Sequence, residues 1–319
     1  MTATLLETGP VETPSARCLV CGGDAFEPLR RGCPDRLHWV GGEFGTDRCT
    51  SCGLVMTTPR LTPDELARHY PATYVPYGVP ATGRGRLGRI LKAGAQLPYR
   101  LCYGTPSAAP PRPGARLLDL GCGGGSYLTQ MAREGWEVWG LEPSAEAAAH
   151  ARAALALPPE RIVVASAEDA ELPRDAFDLV TMSHVLEHLS DPVAVLERIH
   201  GWLRPGGTLR IRIPNTRSLE SRIFGRLWLG LELPRHLQHF DRDTATRLLE
   251  QAGFRVTRVV PELQASSLLG SISHVVNALL GRRREYRHSA VLYSALFPVG
   301  ALVAALGSAA VLEITAEKA

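Results

Sequence analysis

A mostly parallel α/β sheet, doubly wound with helices on both faces and preceded by a small cysteine-rich module, is the architecture that this sequence predicts. Three observations carry the expectation. The stretch Arg116–Ser144 reads as strand, glycine-rich turn, helix, strand, which is one βαβ unit. Strand and helix patterns then alternate as far as Val260, the rhythm of a parallel sheet with crossover helices. Upstream stand two Cys-x-x-Cys pairs, Cys18/Cys21 and Cys49/Cys52, each followed by glycine.

The totals set limits. A chain of 319 residues suggests roughly two domains, and 45% hydrophobic residues suffice for a sizeable core. The formal charge of +3 is close to balance, and the positive charge is almost all Arg. No basic block stands out beyond Arg282-Arg283-Arg284, so nucleic acid is not an expected partner. Met1–Ser15 lacks the basic and apolar regions of a signal peptide. Seven cysteines, four of them in CxxC pairs, argue for metal binding in a reducing, cytoplasmic setting over a disulfide framework.

In chain order, residues 1–15 read as a polar, disordered tail. Residues 16–60 read as a metal module: Cys18, Cys21, Cys49 and Cys52 supply the four thiolates of a closed tetrahedral zinc site, and the following glycines suit knuckle turns. Cys33 is a spare thiol that could replace a ligand. So short a segment has little core, so metal would supply much of its folding energy. Residues 61–112 form a helical segment and linker. Leu61–Tyr70 reads as a short helix capped by Thr62 with Pro63 in its first turn. An aromatic, proline-rich stretch, helical periodicity over Gly83–Tyr103 and the linker Pro106–Gly114 follow.

Residues 113–319 carry the α/β pattern. Strands are expected at Leu117–Leu120, Val138–Leu141, Ile162–Ala165, Phe177–Met182, Thr208–Ile213 and Phe254–Val260. Helices are expected at Tyr127–Glu134, Ala145–Ala156, Pro192–Leu203 and Asp243–Ala252. Such sheets bind ligand beyond the strand C-termini, at the switch in strand order. Insertions at 216–238 and 262–306 would then build the acceptor pocket.

The turn defines the ligand. Gly121, Gly123, Gly124 and Gly125 let the backbone approach a ligand closely. The nicotinamide fingerprint fails, because Ser126 occupies the place of its last glycine. Asp119 would also face a pyrophosphate, whereas it favours a cation. Glu142, at the next strand end, is placed for the two hydroxyls of a ribose.

The string DLGCGGG with Glu142, together with FDLVTMSHVLEHLSDP and LRPGGTL, resembles the class I S-adenosylmethionine (SAM)-dependent methyltransferases over residues 114–260. The resemblance implies their seven-stranded, Rossmann-like sheet, closed here by an antiparallel strand at Ala310–Glu317. It implies SAM as donor, held by Asp119, Gly121, Cys122, Gly123, Gly125, Glu142, Pro143, Ala167, Glu168, Ser183 and His184. The order CxxCG, CxxCGLV, TPRLTPDEL resembles the zinc module fused to some bacterial methyltransferases that act on sugars, glycans or secondary metabolites. A small-molecule or glycan-type acceptor is therefore expected. The sugar C-methyltransferases with such a module usually carry a further C-terminal domain, which weakens a C-methylation reading; O-transfer is the expectation, with N- and C-transfer as alternatives.

His184, Glu187 and His188 fall at i, i+3 and i+4 and are expected on one helix face. His236 and His239 follow in LPRHLQHF. These strings resemble ubiquinone-type O-methyltransferases, and also small-RNA 2′-O-methyltransferases in which an E-x-x-E-H motif and a later histidine hold a divalent metal; here His184 replaces the first acid. Three readings stay open. Glu187, His188 and His239 hold a second metal. Glu187 and His188 merely brace a loop. Or one of His184, His236 and His239 is a general base, with His236 or His239 favoured. Finally, Ser289–Leu312 is 24 residues without charge. Pro298, Gly300 and Gly307 interrupt it, so a helical insertion is expected rather than a membrane span. It would cover a lipophilic pocket, form a dimer interface or lie against a membrane surface. A non-enzymatic alternative, a zinc-module binding protein with a vestigial SAM fold, is opposed by the intact Asp119, Gly121, Gly123 and Glu142.

Overall fold

The computed structural model describes residues 17–71, 110, 112–262, 264–284 and 290–319. The expected tail, the helix at Gly83–Tyr103 and most of the linker lie outside the described residues.

Three antiparallel strands come first: β1 (Phe26–Cys33), β2 (Phe44–Cys49) and β3 (Val55–Thr58). Helix α1 (Pro63–Ala67) follows. Thr62 Oγ1 accepts from the Glu65 amide while the Glu65 carboxylate accepts from the Thr62 amide, a reciprocal cap.

The larger part alternates as the pattern requires. Its elements are β4 (Arg116–Leu120), α2 (Ser126–Arg133), β5 (Glu137–Leu141), α3 (Ala145–Leu155), β6 (Ile162–Val163), β7 (Phe177–Ser183), α4 (Pro192–Trp202) and β8 (Leu203–Pro214). Then come α5 (Leu219–Phe224), β9 (Gln238–His239), α6 (Arg242–Gln251), β10 (Phe254–Glu262), α7 (Ala265–Leu279), α8 (Ala290–Ala305) and β11 (Val311–Lys318). Seven strands form one sheet in the order β10-β11-β8-β7-β4-β5-β6. β11 runs antiparallel between β10 and β8, and the other pairings are parallel. The switch in strand order falls at β4, so the loops after β4, β5 and β7 share one crevice.

The central strands are buried on both faces, as their unbroken apolar runs require. Leu117 and Leu179 point to a cluster with Leu128, Met131 and Ala148 from α2 and α3. Leu118, Val180 and Met182 point to the opposite cluster, with Val195, Ile199 and Leu248 from α4 and α6. That second cluster also takes in Cys18, Val20, Leu54 and Met56. The cysteine module therefore packs into the core of the large sheet.

β9 is the joint between the two parts. It comes from the insertion after β8, yet it pairs with β3, Val55 opposite His239 and Met56 opposite Gln238. The small sheet is thus four-stranded, in the order β1-β2-β3-β9.

The expected third strand, Ile162–Ala165, is shorter as β6, ending where Val164 turns out to solvent. The uncharged stretch folds as a helix, α8, packed on α7. Leu279, Leu302 and Leu306 of this pair stay more than half exposed. Among the described residues no helix is long and apolar enough to cross a membrane.

Candidate active site

The glycine turn leaves β4 at Leu120. The Gly121 and Cys122 amides both donate to Leu141 O, at 2.7 and 3.2 Å, which fastens the turn to β5. Gly121 has φ of 69°, and a Cβ there would stand 2.8 Å from Val185 Cγ2. Gly125, at φ 78°, caps α2, and a Cβ would meet Ala151 Cβ at 2.9 Å. Both positions need glycine for conformation and for space.

Glu142 closes the crevice beside it. Its Oε2 accepts from the Gly123 amide and its Oε1 from the Ser144 amide, each at 2.9 Å. Asp119 is buried, and Thr181 Oγ1 donates to its Oδ1 at 2.6 Å. Burial pushes its carboxyl up to about 7, the Thr181 bond and the Arg212 charge opposing and the Glu142 charge assisting. Cys122 is a buried thiol, pushed up to about 12 by burial and by the same two carboxylates. After β6, Ala167 is buried, and Glu168 Oε1 accepts from the Ser190 amide at 3.3 Å. Pro143 and Ser183 stand exposed on the rim.

The expected helix face at 184–188 is not formed. β7 ends at Ser183, His184 takes a left-handed φ of 56°, and one 3₁₀ turn covers Leu186–His188. A positive φ at a non-glycine residue costs energy and marks a functional candidate. It brings His184 Nδ1 to 3.1 Å from Glu187 Oε1. The His184 side chain keeps 29% exposure, whereas Glu187 is buried at 1%. Burial alone would lower the His184 pKa, but the Glu187 bond and charge outweigh it and the net direction is upward. Glu187, though buried, is held down to about 2 by His184, His236 and His188. Its second oxygen, Oε2, is buried without a hydrogen-bond partner among the described residues.

His188 Nδ1 lies 3.1 Å from Arg235 O and 2.9 Å from Tyr70 Oη. His236 Nδ1 lies 2.9 Å from Gly230 O. A carbonyl can only accept, so each Nδ1 carries the proton and each Nε2 keeps a lone pair. Burial lowers His188 to about 4. Glu187, His188 and His236 offer ligating atoms that all lie within 4.8 Å of one another. His239 does not join them. Its Nε2 donates to Thr57 Oγ1 at 2.9 Å, and that hydroxyl donates to His236 O. Burial holds its pKa well down.

The loop that carries His236 is tied to the small sheet by a buried ion cluster. Arg235 donates twice to Asp35, at 2.9 and 2.7 Å, and to His69 O and Glu232 Oε1 at 2.8 and 3.1 Å. His69 Nδ1 lies 3.1 Å from Asp35 Oδ2. Sequence reasoning missed Asp35, Thr57, Tyr70, Glu232 and Arg235. The run LPRHLQHF pointed to the last of these only as a flank of histidines, and nothing local marks Asp35 as its partner.

The four module cysteines converge. Cys18 and Cys52 Sγ lie 3.4 Å apart and Cys21 and Cys49 Sγ 3.5 Å apart, all four within 4.8 Å of one another. Four sulfurs at such separations match the edges of a tetrahedron around a zinc ion with Zn–S near ~2.3 Å. Cys33 lies outside this group, buried at the far end of β1.

A family model described as a methyltransferase domain matches residues 93–259. The chain belongs to this family. Two curated relatives are ubiquinone biosynthesis O-methyltransferases. That of Xanthomonas campestris pv. campestris is 36% identical over 151 residues, 45% of this chain and 61% of that protein. That of Rhodopseudomonas palustris is 31% identical over 156 residues, 47% and 60%. The chain therefore spans about three fifths of the length of these relatives. A solved S-adenosylmethionine-dependent methyltransferase from Mesorhizobium loti aligns with a TM-score of 0.45 at 22% identity, over 71% of this chain and 99% of that one. The matched residues include most of the seven-stranded sheet described above.

Proposed function

We propose that the methyltransferase moves the methyl group of SAM to a hydroxyl oxygen of a small-molecule or sugar-containing acceptor, with His184 as general base. The observation that carries this reading is the His184–Glu187 pair at the end of β7. Glu187 accepts the Nδ1 proton of a partly exposed imidazole, which leaves the lone pair on Nε2 to take a proton. His239, favoured with His236 from sequence, is less suited, because its Nε2 is spent on Thr57. Both of these histidines are also buried.

The step balances simply. The acceptor oxygen attacks the methyl carbon in line, the sulfur–carbon bond breaks, and its electron pair stays on sulfur. The hydroxyl proton passes to His184 Nε2, and the Glu187 carboxylate stabilises the imidazolium. On the donor side, Glu142 would take the ribose hydroxyls, Asp119 the cationic end of SAM, and the Gly121–Gly125 turn the backbone contacts. Ala167 and Glu168 would flank the adenine. Cys18, Cys21, Cys49 and Cys52 would hold a structural zinc, which supplies folding energy to the small sheet and no chemistry.

The relatives' printed activity, ubiquinone biosynthesis O-methylation, supports oxygen as the accepting atom. The test is a panel of phenols and nucleotide sugars with methyl-labelled SAM, followed by a pH–rate profile. The expected product is a methyl ether whose rate of formation falls as pH drops through the raised His184 pKa. His184→Gln should cut kcat by about 10²–10⁴ and remove that acidic limb. An N- or C-methylated product, or a His184→Gln enzyme with the wild-type profile, overturns the reading.

A second reading has its own support, the unpartnered Glu187 Oε2 beside two Nε2 lone pairs. Glu187, His188 and His236 form a two-histidine, one-carboxylate set, suited to Zn, Mn or Fe more than Mg. A metal there would bind acceptor oxygens and lower the pKa of the attacking hydroxyl. It predicts two metal ions per chain, falling to one in Glu187→Gln. A single ion in both proteins eliminates it.

A further inference from the structure

A second pocket opens behind the histidine cluster, between the β1–β2 connection, the insertion after β8 and helix α7. Arg36, Arg226, Trp228, His274, Glu232 and Cys33 are on its wall. Three of its polar atoms are buried without a hydrogen-bond partner: Arg36 Nε, Trp228 Nε1 and His274 Nε2. Neither Arg36 nor Arg226 has an ion-pair partner among the described residues, although the two guanidinium groups lie close enough for each to feel the other's charge. His274 Nδ1 donates to Leu227 O at 3.2 Å, so its Nε2 is an acceptor. Glu232 is the acid on this wall. It is already engaged by Arg235, and its other oxygen lies 3.6 Å from His236 Nε2.

Buried polar atoms are ordinarily satisfied; among the described residues Arg36 Nε and the Trp228 indole N–H are unanswered buried donors, and the exposed Arg226 guanidinium beside them has no carboxylate partner. A phosphate answers all of them. Two guanidinium forks take its oxygens, the indole N–H donates to a third, and the hydroxyl of a singly protonated phosphate donates to His274 Nε2.

We propose that this pocket binds a phosphate group carried by the methyl acceptor. The proposal rests on the acceptor-side reading above and narrows it. Glu232 is the partition between the pocket and His236, so an acceptor anchored by phosphate here extends past Glu232 toward the histidine cluster. The substrate class is a phosphate-bearing hydroxyl compound, such as a phosphorylated or nucleotide-linked sugar.

The test titrates the full-length protein with inorganic phosphate at low ionic strength, followed by phosphorus NMR line broadening, with acetate as competitor. S-adenosylhomocysteine titration of every variant serves as the fold check. Wild type should bind phosphate saturably, at one site, and more tightly than acetate. Arg36→Gln/Arg226→Gln should weaken binding about tenfold or more, and Trp228→Phe by a few-fold. Arg222→Gln, an exposed arginine on α5 outside the pocket, should change it less than about twofold. If the double variant loses its fold, Arg226→Gln alone, at an exposed site, carries the comparison. Four results overturn the proposal: no saturable phosphate binding, tighter acetate than phosphate, an undiminished arginine variant, or an equal loss in Arg222→Gln. Loss of S-adenosylhomocysteine binding by the wild type would instead strike the donor-side reading, so the two failures are distinguishable.

Discussion

The glycine turn and the histidine cluster open from adjacent strand ends of one sheet, yet they are held by opposite means. The turn is local: Glu142 bonds two amides of its own βαβ unit, and Gly121 and Cys122 are fastened to Leu141 next door. The cluster is assembled from afar. Thr57 and Tyr70 come from the N-terminal part, Glu187 and His188 from the β7 loop, Arg235 and His236 from the insertion, and Asp35 fixes Arg235 from the small sheet. Local geometry persists when a distant element is lost, whereas geometry spread over distant segments does not. Under the proposed function the cysteine module forms one wall of the acceptor side, whereas the hydrogen bonds that fasten the glycine turn all lie within residues 121–144.

Cys49→Ser should have the largest effect. Losing one thiolate forfeits much of a zinc-binding free energy of order 10–16 kcal/mol, and with it the small sheet. Zinc content should fall to zero. Calorimetry should still detect S-adenosylhomocysteine binding within a few-fold of wild type, and complete loss would merge the two regions into one. Asp35→Asn comes next. It leaves the fully buried Arg235 short of its anionic partner, at a cost of about 3–5 kcal/mol in thermal unfolding. Asp35→Asn/Arg235→Met removes both of these charges but also takes the guanidinium away from the buried Glu232, so it should recover only part of that. A double variant as unstable as the single one would mean that the pair has no special coupling.

On the donor side the effects are smaller. Because burial raises Asp119 to about 7, its carboxylate is lost as pH falls through that value, and attraction for a cationic donor goes with it. Affinity for SAM itself should weaken roughly tenfold between about pH 8 and pH 6, and Asp119→Asn should flatten the dependence. Thr181→Val is the mildest. Removing its hydrogen bond should cost about 1 kcal/mol and move the same midpoint to higher pH, because that bond favours the ionised carboxyl.

The contrast also explains what the sequence could disclose. DLGCGGG, Glu142 and the strand-helix alternation are local signals, and the sheet, its antiparallel closing strand and the conformation of the glycine turn followed from them. The four cysteines were legible because their spacing carries the chemistry. His184 was placed on a helix because i, i+3, i+4 spacing says nothing about a left-handed residue that ends the strand first. His239 was grouped with the wrong neighbours because β9 pairs with β3 across more than 180 residues. Asp35 carried no signal at all, since its significance lies in partners 34 and 200 positions away.

Hydrogen–deuterium exchange of the full chain, before and after a chelator strips the cysteine site, tests this division most directly. The account predicts that amides of 232–239 and His188 lose protection together with β1–β3, while β4, β5 and the turn between them keep theirs. Unchanged protection at 232–239 after zinc release, or loss at the glycine turn in step with the small sheet, would contradict it.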